Sequence, residues 1–109
     1  MAVTTVKLLI NGEWVESSAN QWHEVINPAT QEVLARVPFA THDELNAAVA
    51  AAKAAFKTWR LTPIGARARI FLKLQQLIRE NMADLAATLT SEQGKTLADA
   101  EGDIFRGLE

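Results

Sequence analysis

Gly94-Lys95-Thr96 is the first stretch with a chemical connotation. A glycine, a lysine and a hydroxyl residue close the phosphate-binding loop of many nucleotide hydrolases, where backbone N–H groups and the lysine cradle phosphates. That loop needs another glycine at position 89, which is Leu89, and a strand leading in, which is missing. The triplet reads instead as a helix stop at Gly94 and a new helix start at Thr96. His23 and His42 are the two histidines. His23 falls in a strand pattern and His42 in the first turn of a helix. Neither has a cysteine or another histidine at metal-ligand spacing, so both are expected at the surface or rim, and no metal site is expected. Ser17, Ser18 and Ser91 lie in connections, none of them in a nucleophile-elbow pattern. Cysteine is absent, which removes disulfides, thiolate ligands and a thiol nucleophile from these residues. No catalytic residue is expected in this segment.

Arg67 and Arg69 differ by two positions, so on a helix they point apart and read as a solvated face. Arg106 is different. On a helix, Asp99, Gly102, Asp103 and Arg106 share one side, opposite Ile104 and Leu108. One reading is a plain i,i+3 ion pair between Asp103 and Arg106. The other starts from Gly102 and Gly107. A glycine inside a helix costs about 1 kcal/mol relative to alanine, so its presence suggests close approach by a backbone or a ligand. An arginine beside that space can hold a carboxylate with a two-pronged hydrogen bond. The residues alone favour the plain pair and leave the second reading open.

These residues must be positioned by elements, and the 109-residue chain divides near residue 40. Before it the grammar is that of strands. Asn11-Gly12 between two apolar runs is a strong hairpin signal. It predicts strands at Val6–Ile10 and Glu13–Glu16. A third strand follows at Trp22–Ile26, then an Asn27-Pro28-Ala29-Thr30 turn. A fourth strand over residues 32–37 is stopped by Pro38. After residue 40 the grammar is helical. Thr41 and Glu44 form a capping box. Leu45, Ala48, Val49, Ala52, Phe56 and Trp59 then fall on one face. Pro63 suits the first position of the next helix, whose stripe runs through Ile70, Leu74, Leu77 and Ile78. Asn81 is placed to cap a fresh segment carrying Leu85 and Leu89 to Gly94. A last helix from Thr96 puts Leu97, Ala100, Ile104 and Leu108 on one side. It reaches the end of the sequence without a stop signal, so the chain reads as a fragment.

The bulk numbers exclude some classes. Net charge is −2 and the pI about 5.7, without the basic surplus of nucleic-acid binders. No apolar run approaches a membrane span. The first residues show neither a secretory signal nor an Arg-rich organelle presequence. With no cysteine, the expectation is a cytoplasmic protein, most simply bacterial.

In order along the chain, the stretches INGEWVES, VINPATQEVLARVP, AVAAAKAAFKTW, RARIFLKLQQLI and LTSEQGKTLADAEGDIFRGLE resemble the start of the aldehyde dehydrogenase superfamily. The Asn-Pro-Ala-Thr turn and the Glu-Gln-Gly-Lys junction carry the superfamily likeness. The Gly-Asp-Ile-Phe-Arg-Gly ending resembles the CoA-acylating methylmalonate-semialdehyde dehydrogenases. The likeness covers essentially the whole chain.

That resemblance implies an α/β fold in which residues 1–109 form the N-terminal segment of an NAD-binding domain, with short β-hairpins followed by three to four helices. It implies that the cysteine nucleophile, the glutamate base, the oxyanion-hole asparagine and the nucleotide-binding strands lie further on. The implied reaction oxidises methylmalonate or malonate semialdehyde with NAD and coenzyme A to propionyl- or acetyl-CoA, through a covalent thioester. It implies a homo-oligomer, dimer or tetramer, acting in valine breakdown, while the 109-residue chain alone is expected to be inactive and to bind no cofactor. One role carries over to a residue present here: substrate-carboxylate binding at Arg106. The superfamily also often has a structural monovalent cation, which would here involve the backbone around Val25 and Ile26, with Glu92. The alternatives are an aldehyde dehydrogenase that hydrolyses its thioester, and a non-enzymatic α+β interaction module.

Overall fold

A computed structural model describes residues 3–109. Five short strands precede four helices: β1 (Thr4–Thr5), β2 (Leu8–Ile10), β3 (Glu13–Val15), β4 (Trp22–Ile26), β5 (Val33–Pro38), α1 (His42–Trp59), α2 (Ile64–Glu80), α3 (Met82–Gln93) and α4 (Leu97–Leu108). The chain forms two compact units. One runs to Ile26 and resumes over Val33–Thr62; the other comprises Asn27–Glu32 and Pro63–Glu109.

In the first unit, β2 and β3 form the hairpin predicted from Asn11-Gly12. Asn11 (φ 54°) and Gly12 (φ 77°) both adopt the positive φ that a type I′ turn demands. Leu9 lies opposite Trp14 and Ile10 opposite Glu13. The expected single strand Val6–Ile10 is broken instead. β1 leaves this hairpin and pairs in parallel with β5, Thr4 against Ala35 and Thr5 against Arg36. Val6 N donates to Arg36 O at 2.9 Å, extending that ladder. The partner lies some thirty positions along the chain, so no local pattern announces it. β4 and β5 pair antiparallel, giving the sheet order β1-β5-β4. The register slips by one between Val25 and Ile26, leaving Leu34 as the extra residue of a bulge. Pro38 ends β5 from inside the strand. It lies opposite Trp22 at the final pairing, a strand end where a missing N–H is tolerated.

The capping box at the start of α1 is present. Glu44 N donates to Thr41 Oγ1 at 3.2 Å, and Thr41 N donates to the Glu44 carboxylate at 3.1 Å. The same carboxylate also gathers the Ser17-Ser18 connection. It accepts from Ser17 Oγ at 2.8 Å, Ser18 N at 2.6 Å and Ser18 Oγ at 3.0 Å. These donors, the Ser18 N–H first, hold the Glu44 carboxyl below its ordinary value. The apolar stripe of α1 forms as spaced, but it is not covered. Leu45, Val49, Phe56 and Trp59 are all exposed.

In the second unit, Asn27 Oδ1 accepts from Ala29 N at 2.9 Å, and Gln31 N donates to Asn27 O at 2.8 Å. This is the turn chemistry expected of Asn-Pro. α2 starts one residue later than predicted, with Pro63 as its cap residue. Asn81 marks the break between α2 and α3, but its side chain faces the other way from expectation. Nδ2 donates to Leu77 O at 2.8 Å, closing the end of α2, and gives α3 no side-chain cap. The α2 carbonyls need a donor once the helix stops, and the amide is within reach of one. α3 ends as expected on left-handed Gly94 (φ 75°), and Thr96 Oγ1 caps α4 by accepting from Asp99 N at 3.2 Å.

Among the described residues, Ala86, Ala100 and Leu108 are buried in the second unit and Pro38 in the first. Gln75 Nε2 fixes the end of α4 through Leu108 O at 3.0 Å. Of the stripe predicted for α4, Ala100 and Leu108 are buried and Ile104 half-buried, while Leu97 is exposed. Ile64, Ile70, Phe71, Leu72, Leu74 and Leu77 of α2 are exposed as well.

Candidate functional site

Arg106 lies in the last turn of α4, where a cation also complements the partial negative charge of the helix end. Its side chain is 80% exposed. Nη1 donates to Asp103 Oδ1 at 3.1 Å, the i,i+3 pair expected from the sequence. A guanidinium has five N–H donors in a planar fork. That pair is the one side-chain hydrogen bond Arg106 makes among the described residues, so Nε and Nη2 are left without partners there. Gly102 and Gly107 have no atom within 4 Å of where a Cβ would stand. Neither glycine is closely packed by a neighbour.

The sequence reading missed Lys95. It follows the Gly94 helix stop, and its ammonium reaches the other oxygen of Asp103, Oδ2, eight residues on. Lys95 and Asp103 are both about two-thirds shielded, at 34% and 35% exposed. Asp103 thus bridges two cations, one on each oxygen. The Lys95 hydrogen bond, its charge and then the Arg106 charge hold the Asp103 carboxyl below its ordinary value. The pair spans the Gly94 turn, so helical spacing alone does not bring it together.

Other expected positions fall out differently. His23 and His42 are exposed, His23 with its ring edge-on to Phe39 at 6.3 Å between centroids. Arg69 is exposed, but Arg67 departs from the solvated-face expectation. It is half-buried, and its Nε is enclosed with no partner among the described residues. The two positions point apart on α2, and one of them turns inward. Val25 and Ile26 lie on β4 in the first unit; Glu92 is exposed near the end of α3 in the second. Among the described residues no group of three or more His, Cys, Asp or Glu could hold a metal ion. A cleft in the first unit is lined by Thr5, Trp22, Glu24 and Arg36, but Arg36 and Glu24 neutralise each other at 3.1 Å. The Rossmann dinucleotide fingerprint is a glycine-rich turn from strand to helix; Gly94 lies between two helices instead.

The model of the aldehyde dehydrogenase family matches residues 14–109. The chain belongs to that family. This leaves the non-enzymatic module without support. An Arabidopsis thaliana protein, a mitochondrial acylating methylmalonate-semialdehyde dehydrogenase, is 59% identical over 101 residues, 93% of this chain and 17% of its own length. A rat mitochondrial acylating methylmalonate-semialdehyde/malonate-semialdehyde dehydrogenase is 55% identical over 108 residues, 99% of this chain and 20% of its own. Among solved structures, a protein from Sinorhizobium meliloti assigned as methylmalonate-semialdehyde dehydrogenase, complexed with NAD, superposes with a TM-score of 0.93. It is 42% identical over 98% of this chain and 22% of its own. The chain therefore spans about a fifth of the length of the relatives it matches. Its mixed α/β fold is that of aldehyde dehydrogenases.

One expectation is overturned. The plant and rat relatives are mitochondrial proteins, which conflicts with the cytoplasmic assignment. That assignment rested on missing cysteine and a plain N-terminal stretch. A mitochondrial protein can equally lack cysteine over such a span, and residues matching a fifth of a protein carry no reliable address.

Proposed function

We propose that these residues are the N-terminal segment of the NAD-binding domain of an acylating methylmalonate-semialdehyde/malonate-semialdehyde dehydrogenase. The whole protein oxidises a short semialdehyde bearing a carboxylate, with NAD as oxidant and coenzyme A as acyl acceptor, and acts as a homo-oligomer. The reacting groups lie outside this segment, which contains no cysteine. What carries the reading is 59% identity over 101 residues, 93% of the chain, to a relative of that activity.

Within this segment, Arg106 binds the carboxylate of the semialdehyde. Its Nε and Nη2 donors, free of partners among the described residues, form the fork that suits a carboxylate. The helix end supplies the base from which it reaches out. The test is Arg106→Leu in the full-length protein, comparing malonate semialdehyde with propanal, which has no carboxylate. A paired, charge-assisted contact implies a loss of about 30-fold or more in kcat/KM for the semialdehyde, carried mainly by KM. Propanal should change by less than about threefold. Equal losses on both substrates would remove the role.

A further inference from the structure

We propose that Asp103, clamped by Lys95, is a positioning residue that holds the Arg106 guanidinium in its binding orientation. The proposal rests on the reading of Arg106 given above. An arginine that is 80% exposed and in no other contact would sample many rotamers. Here one of its nitrogens is fixed by Asp103 Oδ1 at 3.1 Å. That oxygen can fix it only if the carboxylate itself stays still, and Lys95 on Oδ2 supplies the second restraint. The three groups come from one short stretch: Lys95 just before the Thr96 cap, Asp103 in the middle of α4 and Arg106 one turn later. Their relative placement is set by the helix and its cap rather than by a mobile loop.

Charge supports the same assignment. Arg106 paired one-to-one with Asp103 would present an anionic substrate with no net charge. Lys95 supplies the balancing cation, so the trio carries +1 and still attracts a carboxylate. This leads to a decisive sign. If only charge mattered, Asp103→Asn would raise the trio to +2 and tighten semialdehyde binding. If Asp103 positions Arg106, the same change frees the guanidinium and weakens binding despite the added charge.

The experiment uses the full-length protein with malonate semialdehyde and propanal as paired substrates. Asp103→Asn and Lys95→Gln are each expected to raise KM for the semialdehyde about three- to tenfold, the range for releasing one long side chain. Neither should change kcat or the kinetics with propanal by more than about twofold. Asp103→Glu, which keeps the charge and can still reach Arg106, should recover most of the loss. In the Arg106→Leu background, Asp103→Asn should have no further effect on semialdehyde KM. A lowered or unchanged semialdehyde KM in Asp103→Asn, with Arg106→Leu still discriminating between the substrates, overturns the positioning role and leaves the role of Arg106 standing. Equal effects of Arg106→Leu on both substrates overturn both. If Asp103→Asn impairs both substrates alike, its role is structural only and the proposal is wrong.

Discussion

Gly94 offers a prediction whose two components separate. Its φ is 75° and ψ 10°, the left-handed region. A Cβ at this position would lie 2.9 Å from Pro28 Cγ and 3.8 Å from Pro28 Cβ. Alanine therefore meets a backbone penalty of about 1–2 kcal/mol. It also meets an overpacking penalty of about 1–3 kcal/mol against a ring with little freedom to move. Restricting the unfolded chain offsets about 0.4–1 kcal/mol. The net loss for Gly94→Ala is about 1–5 kcal/mol. Pro28→Ala removes the Cγ that clashes and keeps the Cβ at ordinary contact distance. Equilibrium urea unfolding of the full-length protein, the two single variants and the double variant closes a cycle. The double variant should recover about 1–3 kcal/mol relative to additivity, with the backbone term persisting. Additivity within about 0.5 kcal/mol would refute the contact. A neutral Gly94→Ala would refute the left-handed cap as well.

Glu44 should make a pH-dependent contribution. Its folded pKa lies below the ordinary 4.5, so its stabilisation is complete above about pH 4.5 and disappears as the pH falls through the folded value. Glu44→Gln should lower the urea midpoint at pH 7 and converge with wild type at acid pH; a constant gap between pH 7 and 3 would show that the carboxylate's charge plays no part. The 109-residue chain by itself should show no NAD-dependent aldehyde oxidation, and its uncovered α1 and α2 stripes should bind a hydrophobic dye and promote association. Turnover by the purified segment, or a dye-silent monomer in sedimentation, would go against the account.

Local chemistry was legible in the sequence, and long-range pairing was not. Asn11-Gly12, the Thr41–Glu44 box, Asn27-Pro28 and the Gly94–Thr96 junction each act within a few residues, and each forms as its side chains dictate. β1 was not legible, because its parallel partner β5 lies far along the chain and a two-residue strand has no periodicity. Helical spacing located the apolar stripes of α1 and α2, but spacing states which face is apolar, not what covers it. At the candidate site, the Asp103–Arg106 pair follows from i,i+3 geometry alone. The Lys95 clamp needed the angle at which the chain turns from Gly94 into α4, which no spacing rule supplies. Arg67 shows the converse, since two arginines two apart look equally solvated until the fold shields one of them.

The central claim concerns the fate of the acyl group, and product analysis of the full-length protein tests it most directly. Malonate semialdehyde, NAD and coenzyme A should yield acetyl-CoA, carbon dioxide and NADH in equal amounts, with no free acetate. Release of a free carboxylic acid at a rate indifferent to coenzyme A would contradict the acylating assignment.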